Sequence, residues 1–338
     1  MSAIVIAGIR FMYLVTGGAG FIGSNLVAAL AARGEEVIVC DWMRSDERWR
    51  NLARHEIAGL IAPDNLFDCL GKLRGRLKAI LHMGAISATT ETNVDLIAEN
   101  NIRLTLDLLQ WCTYHRTPFI YASSAATYGD GSAGFDDEFS CEALGRLRPL
   151  NAYGWSKHVV DRRIARLHAT HLPLPSQWVG LKFFNVYGPN EYHKGSMKSV
   201  IAQNYAPIRS GEPLRLFRSY RADYSDGGQR RDFIYVKDCV DVMLWLLDNP
   251  QVSGLFNLGT GQSRSWFDLA HAMFAAAGLE PNIEFIEMPE PLREKYQYFT
   301  EAKMDRLRAA GYSKAFTSLE EGVADYLQRY LFTDNAYR

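Results

Sequence analysis

A glycine-rich turn between a predicted strand and a predicted helix constrains the fold of this chain more than any other feature. Residues 13–16 form a short apolar run typical of a buried parallel strand. Residues 21–33 follow a helical pattern, and Gly34 is suited to end the helix. Glycines in the intervening TGGAGFIG let the backbone turn sharply and approach a pyrophosphate closely, and the helix start offers free N–H groups. We therefore predict a dinucleotide-binding turn made by Gly17, Gly20, Phe21, Ile22 and Gly23.

Strand and helix patterns alternate through the first half of the chain. Residues 37–40, 79–82 and 119–122 are short apolar runs, and residues 97–112 between the last two follow a helical pattern. This alternation predicts an α/β fold with a doubly wound parallel sheet, the Rossmann architecture.

The second half changes character. The polar, Gly-rich stretch at residues 219–231 predicts a mobile loop, a strand is expected near residues 254–259, and helical patterns cover residues 267–277 and 318–331. We predict a dinucleotide-binding domain at residues 12–185, to which segments around residues 232–262 return. Residues 186–331 are expected to form mainly a smaller α/β lobe that binds substrate.

Composition narrows the class of protein. The chain has 338 residues and a net charge of −1, which does not favour nucleic acid or an anionic membrane as partner. Its five cysteines are scattered without CxxC spacing, as expected of reduced, mostly packed thiols in a soluble cytoplasmic protein, and no metal site is predicted. Met12 opens the first predicted strand, so residues 1–11 are expected to be dispensable.

The end of the second predicted strand bears on the choice between NAD and NADP. Asp41 stands where an acid holds the adenosine ribose hydroxyls, which favours NAD. Arg44 and Arg48 follow closely and can pair with a 2′-phosphate, which favours NADP. The residues alone leave both cofactors open.

Tyr153 and Lys157 are the candidate catalytic pair. Their spacing of four places both on one face of a helix. A tyrosine is a poor base at neutral pH. A nearby ammonium and the positive nicotinamide ring together are expected to lower the pKa of the phenol so that it can take a hydroxyl proton. Ser124, at the carboxyl end of the strand near residue 120, can donate a hydrogen bond to the reacting oxygen.

Several longer motifs carry a resemblance to a known family. They are YASSAATYG at residues 121–129, PLNAYGWSK at 149–157, FFNVYGPNEYHKGSM at 183–197, RDFIYV at 231–236, FNLGTG at 256–261 and YQYFT at 296–300. From Met12 onward the chain resembles the extended short-chain dehydrogenase/reductases. Among these it is most similar to the ADP-L-glycero-D-manno-heptose 6-epimerases, because HKGSM is more specific than FNVYGP.

The resemblance implies a reaction and a set of site residues. It implies inversion of C6″ of an ADP-heptose through a transient ketone, with tightly bound NADP, in a homo-oligomer built on pentamers. Lys194 would be a second base beside Tyr153. The remaining implied roles are cofactor binding by Trp42 and Asn101 and substrate binding by Asn185, His193, Ser196, Arg231 and Tyr296.

Other functions of this fold are weighed against the same residues. A UDP-hexose 4-epimerase is the main alternative, and HKGSM argues against it. A dehydratase would need a carboxylate at residues 125–127, where the chain has Ala-Ala-Thr. A cofactor-sensing regulator can lose the tyrosine or the lysine, whereas this chain keeps both. Relative to the family, the chain carries Trp42 in place of a small polar residue and insertions after Gly129 and at residues 220–228.

Overall fold

The protein is described by a computed structural model covering residues 11–293 and 296–338. The expectation that the start is dispensable concerns residues 1–11, of which 1–10 lie outside the described residues. In the described part, no helix is both long and apolar enough to cross a bilayer.

The strands and helices follow the predicted alternation. The strands are β1 (Met12–Thr16), β2 (Glu36–Cys40), β3 (Gly59–Ile61), β4 (Leu77–His82), β5 (Phe119–Ser124), β6 (Trp178–Phe183), β7 (Asn185–Tyr187), β8 (Leu214–Phe217), β9 (Arg230–Tyr235), β10 (Gly254–Leu258), β11 (Ser263–Ser265) and β12 (Ile283–Ile286). The helices are α1 (Phe21–Ala32), α2 (Leu66–Lys72), α3 (Val94–Ile97), α4 (Leu104–His115), α5 (Cys141–Arg146), α6 (Ala152–Ala169), α7 (Val200–Arg209), α8 (Val236–Asp248), α9 (Trp266–Ala277), α10 (Glu290–Arg293), α11 (Asp305–Ala309) and α12 (Leu319–Tyr326). Short 3₁₀ turns cover Glu47–Asn51, Pro63–Asn65, Ala125–Tyr128 and Tyr192–Met197, and π-helical turns cover Ala98–Arg103 and Leu327–Leu331.

A parallel sheet forms the centre of the molecule. Within the described residues it has seven strands in the order β10-β6-β5-β4-β1-β2-β3, and each neighbouring pair is parallel. Its strands are apolar on both faces, with Leu14, Val15, Ile80 and Leu81 fully buried, because helices cover both sides. The doubly wound α/β class predicted from the sequence is confirmed.

The strand order places a ligand site at one edge of this sheet. Strand β1 lies between β2 and β4, so the chain winds away from it in two directions. Ligands of open α/β sheets bind at the carboxyl ends of the strands beside such a switch point. Two smaller sheets, β11-β9-β7 and β12-β8, belong to the second half of the chain.

Three of the predicted elements need correction. The helix expected at residues 318–331 runs as α12 followed by a π-helical turn. The helix expected at residues 97–112 runs as α3, a π-helical turn and α4, with Asn101 inside the π-helical turn. The loop expected at residues 219–231 is two residues too long, because Arg230 and Arg231 already pair with β11 as part of β9. The polar composition of that stretch concealed the start of the strand.

Candidate active site

A cavity of about 1920 Å³ opens at the carboxyl ends of the central strands. Most of the predicted site residues line it, although they come from distant parts of the chain. Those in its lining are Gly17, Gly20, Phe21, Ile22, Gly23, Asp41, Arg48, Ser124, Tyr153, Lys157, Asn185, His193, Lys194 and Tyr296. Trp42, Asn101, Ser196 and Arg231 are not part of the lining.

The glycine turn has the geometry of a phosphate cradle. Gly17 has a φ of +65°, and a Cβ built on it would lie 2.5 Å from the Cα of Gly84. A Cβ on Gly23 would lie 2.1 Å from the Gly17 carbonyl oxygen. Helix α1 begins after Gly20, whose position as N-cap supplies no side-chain hydrogen bond to the first N–H groups of the helix. The residues present therefore fit the pyrophosphate of a dinucleotide.

Asp41 and Arg48 lie together beside this turn. Asp41 Oδ2 accepts the Ala19 N–H at 2.9 Å, and Oδ1 accepts the Trp42 N–H at 2.8 Å. Burial raises the pKa of Asp41, and these N–H groups oppose the shift. Arg48 forms a forked pair with Asp46 at 2.7 and 2.8 Å and lies 3.8 Å from Asp41. Trp42 is 41% exposed and its contribution to this corner is its backbone N–H.

Asn101 lies behind the cavity wall. Its amide nitrogen donates to the Ile86 carbonyl at 2.9 Å and to Ser156 Oγ at 3.0 Å, and its oxygen accepts the Ile86 N–H at 2.8 Å. Ile86 belongs to the lining, and Ser156 lies in α6 between Tyr153 and Lys157. Asn101 therefore fixes one lining segment against the helix that carries the candidate catalytic pair.

The helix wall of the cavity, as we call Ser124, Tyr153 and Lys157, is made by β5 and α6. Asn151 caps α6 through a 2.8 Å bond from the Gly154 N–H, so the helix begins just before Tyr153. Burial lowers the pKa of Lys157 to about 8, and the Asp161 carboxylate opposes the shift. Burial also raises the pKa of Tyr153, while a hydrogen bond with Ser124 lowers it. Burial outweighs the Ser124 hydrogen bond, and the Asp161 carboxylate raises the pKa of Tyr153 further. The predicted lowering also requires the positive nicotinamide ring, and it stays a prediction.

A buried ion pair supports the helix wall from below. Lys182 Nζ lies 2.9 Å from Asp161 Oδ2, and neither side chain has exposed surface. Asp161 also accepts hydrogen bonds from Tyr121 at 3.0 Å and Ser123 at 2.7 Å. Asp161 is on α6, two turns beyond Tyr153, whereas its three partners are on β5 and β6. This pair therefore ties the helix that carries Tyr153 and Lys157 to the sheet.

The loop wall of the cavity, as we call residues 190–197, follows β7. Within it His193 and Lys194 line the cavity, and Ser196 is exposed outside it. Burial and the nearby Arg48 lower the pKa of His193 to about 4, so its ring is neutral at pH 7. Burial lowers the pKa of Lys194, whose Nζ lies 4.9 Å from the centre of the Phe21 ring.

A third group of residues closes the cavity on the side of the smaller lobe. The Arg231 guanidinium is 5.2 Å from the Tyr296 ring centre and 5.9 Å from that of Trp266, and Arg231 is 8% exposed. Tyr296 lines the cavity in front of it. The sequence did not single out further lining residues here, namely Tyr220, Arg221, Tyr224 and Arg293. Three of them, Tyr220, Arg221 and Tyr224, belong to the insertion at residues 220–228 that the sequence shows, whereas Arg293 lies outside it.

The sequence also left out the residues that hold the loop wall. Asn51 Nδ2 donates to the Ala19 carbonyl at 2.8 Å and to the Asn190 carbonyl at 3.2 Å. It therefore links the glycine turn to the loop wall. Glu191 is buried and lies 3.9 Å from Lys194. Its separation of three residues from Lys194 was a signal in the sequence, whereas Asn51 gave none.

Comparisons with known proteins identify the family and the sequence relatives of this chain. The profile of the NAD dependent epimerase/dehydratase family matches residues 13–259. An ADP-L-glycero-D-manno-heptose-6-epimerase of Nitratidesulfovibrio vulgaris is 52% identical over 95% of this chain and 98% of its own. The protein of the same name from Fusobacterium nucleatum is 45% identical over 96% of this chain and 100% of its own.

Solved structures agree with the fold. The Helicobacter pylori ADP-L-glycero-D-manno-heptose-6-epimerase superposes with a TM-score of 0.76 at 28% identity, covering 96% of this chain and 98% of its own. A Thermus thermophilus UDP-glucose 4-epimerase in complex with NAD superposes with a TM-score of 0.69 at 25% identity, covering 93% and 97%. Because these two epimerases of different names share this fold, the fold does not distinguish between their activities, and the sequence relatives do.

Proposed function

This chain belongs to the NAD dependent epimerase/dehydratase family, and from that premise we propose that it inverts C6″ of ADP-D-glycero-β-D-manno-heptose to give the L-glycero epimer. One observation carries the proposal. A single cavity is lined by a glycine turn at an uncapped helix start and by two proton-handling groups, Tyr153 and Lys194, on separate walls. Inversion at a carbinol needs both parts, a hydride acceptor and acid–base groups for two hydroxyl orientations.

The cofactor role falls to the glycine turn and its neighbours. A nicotinamide dinucleotide would supply the hydride acceptor and a positive charge that favours the Tyr153 phenolate. The N–H groups at the start of α1 would hold its pyrophosphate, Asp41 a ribose, and Lys157 the nicotinamide ribose. We propose NADP, because Arg44 and Arg48 line the cavity and a guanidinium can pair with a 2′-phosphate; the alternative is NAD, which Asp41 favours.

On the helix wall, Tyr153 is proposed to take the hydroxyl proton in one direction. Ser124 would donate to the reacting oxygen, and the positive charges near the phenol would offset the effect of its burial on the pKa. On the loop wall, Lys194 is proposed to serve the other orientation of the carbinol. Its partial burial lowers its pKa, which is what an amine needs to exchange protons near neutral pH.

The remaining lining residues are proposed to hold the ADP-sugar. Asn185 and the neutral His193 can exchange hydrogen bonds with sugar hydroxyls. Arg231, with Tyr296 in front of it, is proposed to bind the diphosphate, because a guanidinium matches phosphate geometry. Trp42, Asn101 and Ser196 are proposed to act from outside the lining, Asn101 by fixing the segment around Ile86. We also propose a cytoplasmic homo-oligomer, on the resemblance of the motifs alone.

The proposal is tested by incubating purified protein with ADP-D-glycero-β-D-manno-heptose without added cofactor. NMR follows the configuration at C6″, and the dinucleotide released on denaturation is identified by its mass. We expect conversion to an equilibrium mixture of epimers and release of NADP. If ADP-heptose stays unchanged while UDP-galactose is converted, the activity is that of a UDP-hexose 4-epimerase instead.

A further inference from the structure

Glu191 is a fully buried carboxylate three residues before Lys194 in the loop wall. Its Oε2 lies 3.9 Å from Lys194 Nζ, and the Lys194 N–H donates to the Glu191 carbonyl at 3.1 Å. The same ammonium lies near the face of Phe21, the first residue of α1. Lys194 is thus held by a carboxylate from its own segment and by an aromatic ring from the glycine turn.

The carboxylate is itself fixed in place. Glu191 Oε2 accepts the Ser199 N–H at 2.6 Å, and Oε1 accepts Ser199 Oγ at 2.6 Å and the Tyr326 hydroxyl at 3.2 Å. Ser199 also caps α7, so its position is set by that helix. Hydrogen bonds donated to a carboxylate favour its ionised form. These bonds oppose the effect of burial, which raises the pKa of Glu191, and they fix the carboxylate at its distance from the Lys194 amine.

Other titratable groups surround the pair on every packed element. Tyr192 and His193 belong to the loop wall, Tyr326 to α12, and Arg48 and Asp46 to the turn that faces His193. Burial raises the pKa of Glu191 and lowers that of Lys194, and each charge opposes the shift of the other. Among these groups, Glu191 is the carboxylate in ion-pair contact with Lys194.

We infer that Glu191 is a positioning residue that keeps Lys194 protonated and directed into the cavity until the reacting oxygen takes its proton. This inference rests on the proposed function. In the direction in which Tyr153 removes the hydroxyl proton, hydride leaves C6″ and later returns to its other face. As it returns, the electron pair of the carbonyl π bond forms the new O–H bond with the Lys194 proton, and a neutral amine remains. In the reverse direction the amine takes the hydroxyl proton and Tyr153 gives its own.

The pH dependence of Glu191→Gln tests this inference. In the direction in which Lys194 gives a proton, the rate falls as pH rises through the Lys194 pKa, and in the opposite direction it rises. Removal of a carboxylate 3.9 Å away should lower that pKa. We expect these falling and rising limbs of the two pH–rate profiles to shift to lower pH by about one unit or more, which is a tenfold change in the acid constant of Lys194. Glu191→Asp, which withdraws the carboxylate by one methylene, should give a smaller shift in the same direction.

A purely structural role of Glu191 would instead reduce the rate equally at all pH values. Unmoved limbs in both directions would overturn the inference. Glu284→Gln is the matched control, since Glu284 pairs with Arg215 in an exposed ion pair at the β8–β12 sheet. This control should leave both limbs in place.

A second readout does not require activity. Lysines are reductively methylated with ¹³C-formaldehyde, and Lys194→Arg identifies the Lys194 methyl resonance. Its titration midpoint should fall by about one pH unit or more in Glu191→Gln and stay constant in Glu284→Gln. An unchanged midpoint would contradict the inference. The proposed function would be refuted if the wild-type protein converted neither the D-glycero nor the L-glycero epimer of ADP-heptose. The titration midpoint would then still decide whether Glu191 raises the pKa of Lys194.

Discussion

The two walls of the cavity hold their candidate acid–base groups in different ways. On the helix wall, Tyr153 and Lys157 sit on an 18-residue helix that packs on the central sheet, and Lys157 is 2% exposed. On the loop wall, Lys194 sits in a short 3₁₀ turn interrupted at Gly195, which has a φ of +56°, and 26% of its side chain is exposed. One group is fixed by a core and the other by a loop.

The bonds that secure the two walls differ as well. The helix wall is supported by the buried Lys182–Asp161 pair. The loop wall is held by hydrogen bonds from distant parts of the chain, such as Asn51 Nδ2 to the Asn190 carbonyl and the Arg338 N–H to Asn190 Oδ1 at 3.0 Å. Tyr192 also donates to the Ala336 carbonyl at 2.6 Å.

This difference suits a reaction in which one carbon is attacked from two faces. A base that serves the first step needs a fixed position relative to the hydride acceptor. The group proposed for the second step, Lys194, is partly exposed, so water can share its proton transfer and a looser support suffices. The comparison predicts that substitutions on the helix wall are the more damaging, and four changes test it in order of decreasing expected effect.

Tyr153→Phe should have the largest effect. It removes the proposed proton acceptor beside the hydride acceptor and leaves the helix intact, so epimerisation should fall about 10⁴-fold, near 5.4 kcal/mol in the barrier. The rate is measured by NMR with ADP-heptose, and the dinucleotide content of the variant is measured as the control. Turnover close to wild type would remove the helix wall from the chemistry.

Lys194→Met should follow, with a loss of about 10³-fold, or about 4 kcal/mol. The smaller effect is expected because water can reach a partly exposed side chain and replace part of its proton transfer. The same NMR assay measures conversion. The variant should still reduce its bound dinucleotide when it is given one of the two epimers, which is followed by absorbance. A loss larger than that of Tyr153→Phe would reverse the ranking of the walls.

The helix wall could be predicted from the sequence more fully than the loop wall, for a physical reason. The glycine turn, Tyr153, Lys157 and Ser124 follow from local spacing on a strand, a turn and a helix, where backbone geometry dictates what lies together. The contribution of burial to the pKa of Tyr153 could not be predicted from this spacing, because burial depends on the packed core.

Contacts between remote segments were beyond local pattern. Asn51 lies 139 residues from Asn190, and no periodicity links them. The sequence also did not predict the Lys182–Asp161 pair, because a lysine or an aspartate taken alone is expected on the surface, whereas both of these side chains are buried. Trp42, Asn101, Ser196 and Arg231 were assigned by resemblance, and the structure places them outside the lining.

Asp161→Asn should reduce the free energy of unfolding by about 3 kcal/mol, because it leaves the Lys182 ammonium buried without its counter-charge. Denaturant titration measures the loss, and Lys182→Met in the same chain should restore part of it. Asp248→Asn is the matched control, since Asp248 pairs with Arg33 on the surface and should change stability by less than about 0.5 kcal/mol. Equal effects of the two aspartate changes would mean that the buried pair does not secure the helix wall.

Asn51→Ala should have the smallest effect, because it removes two hydrogen bonds to buried carbonyls and no charge. It should weaken the attachment of the loop wall to the glycine turn by about 1–2 kcal/mol. The bonds join the glycine turn to the loop wall, so the loss should appear as weaker retention of the dinucleotide, roughly tenfold, and a raised KM for ADP-heptose. Dinucleotide per chain after gel filtration measures the first effect. Asn100→Ala is the control, because Asn100 donates to the Leu96 carbonyl of its own helical segment. If Asn51→Ala retained its dinucleotide as well as Asn100→Ala does, the loop wall would not depend on the glycine turn, and the contrast between a wall fixed by a core and one fixed by such bonds would be lost.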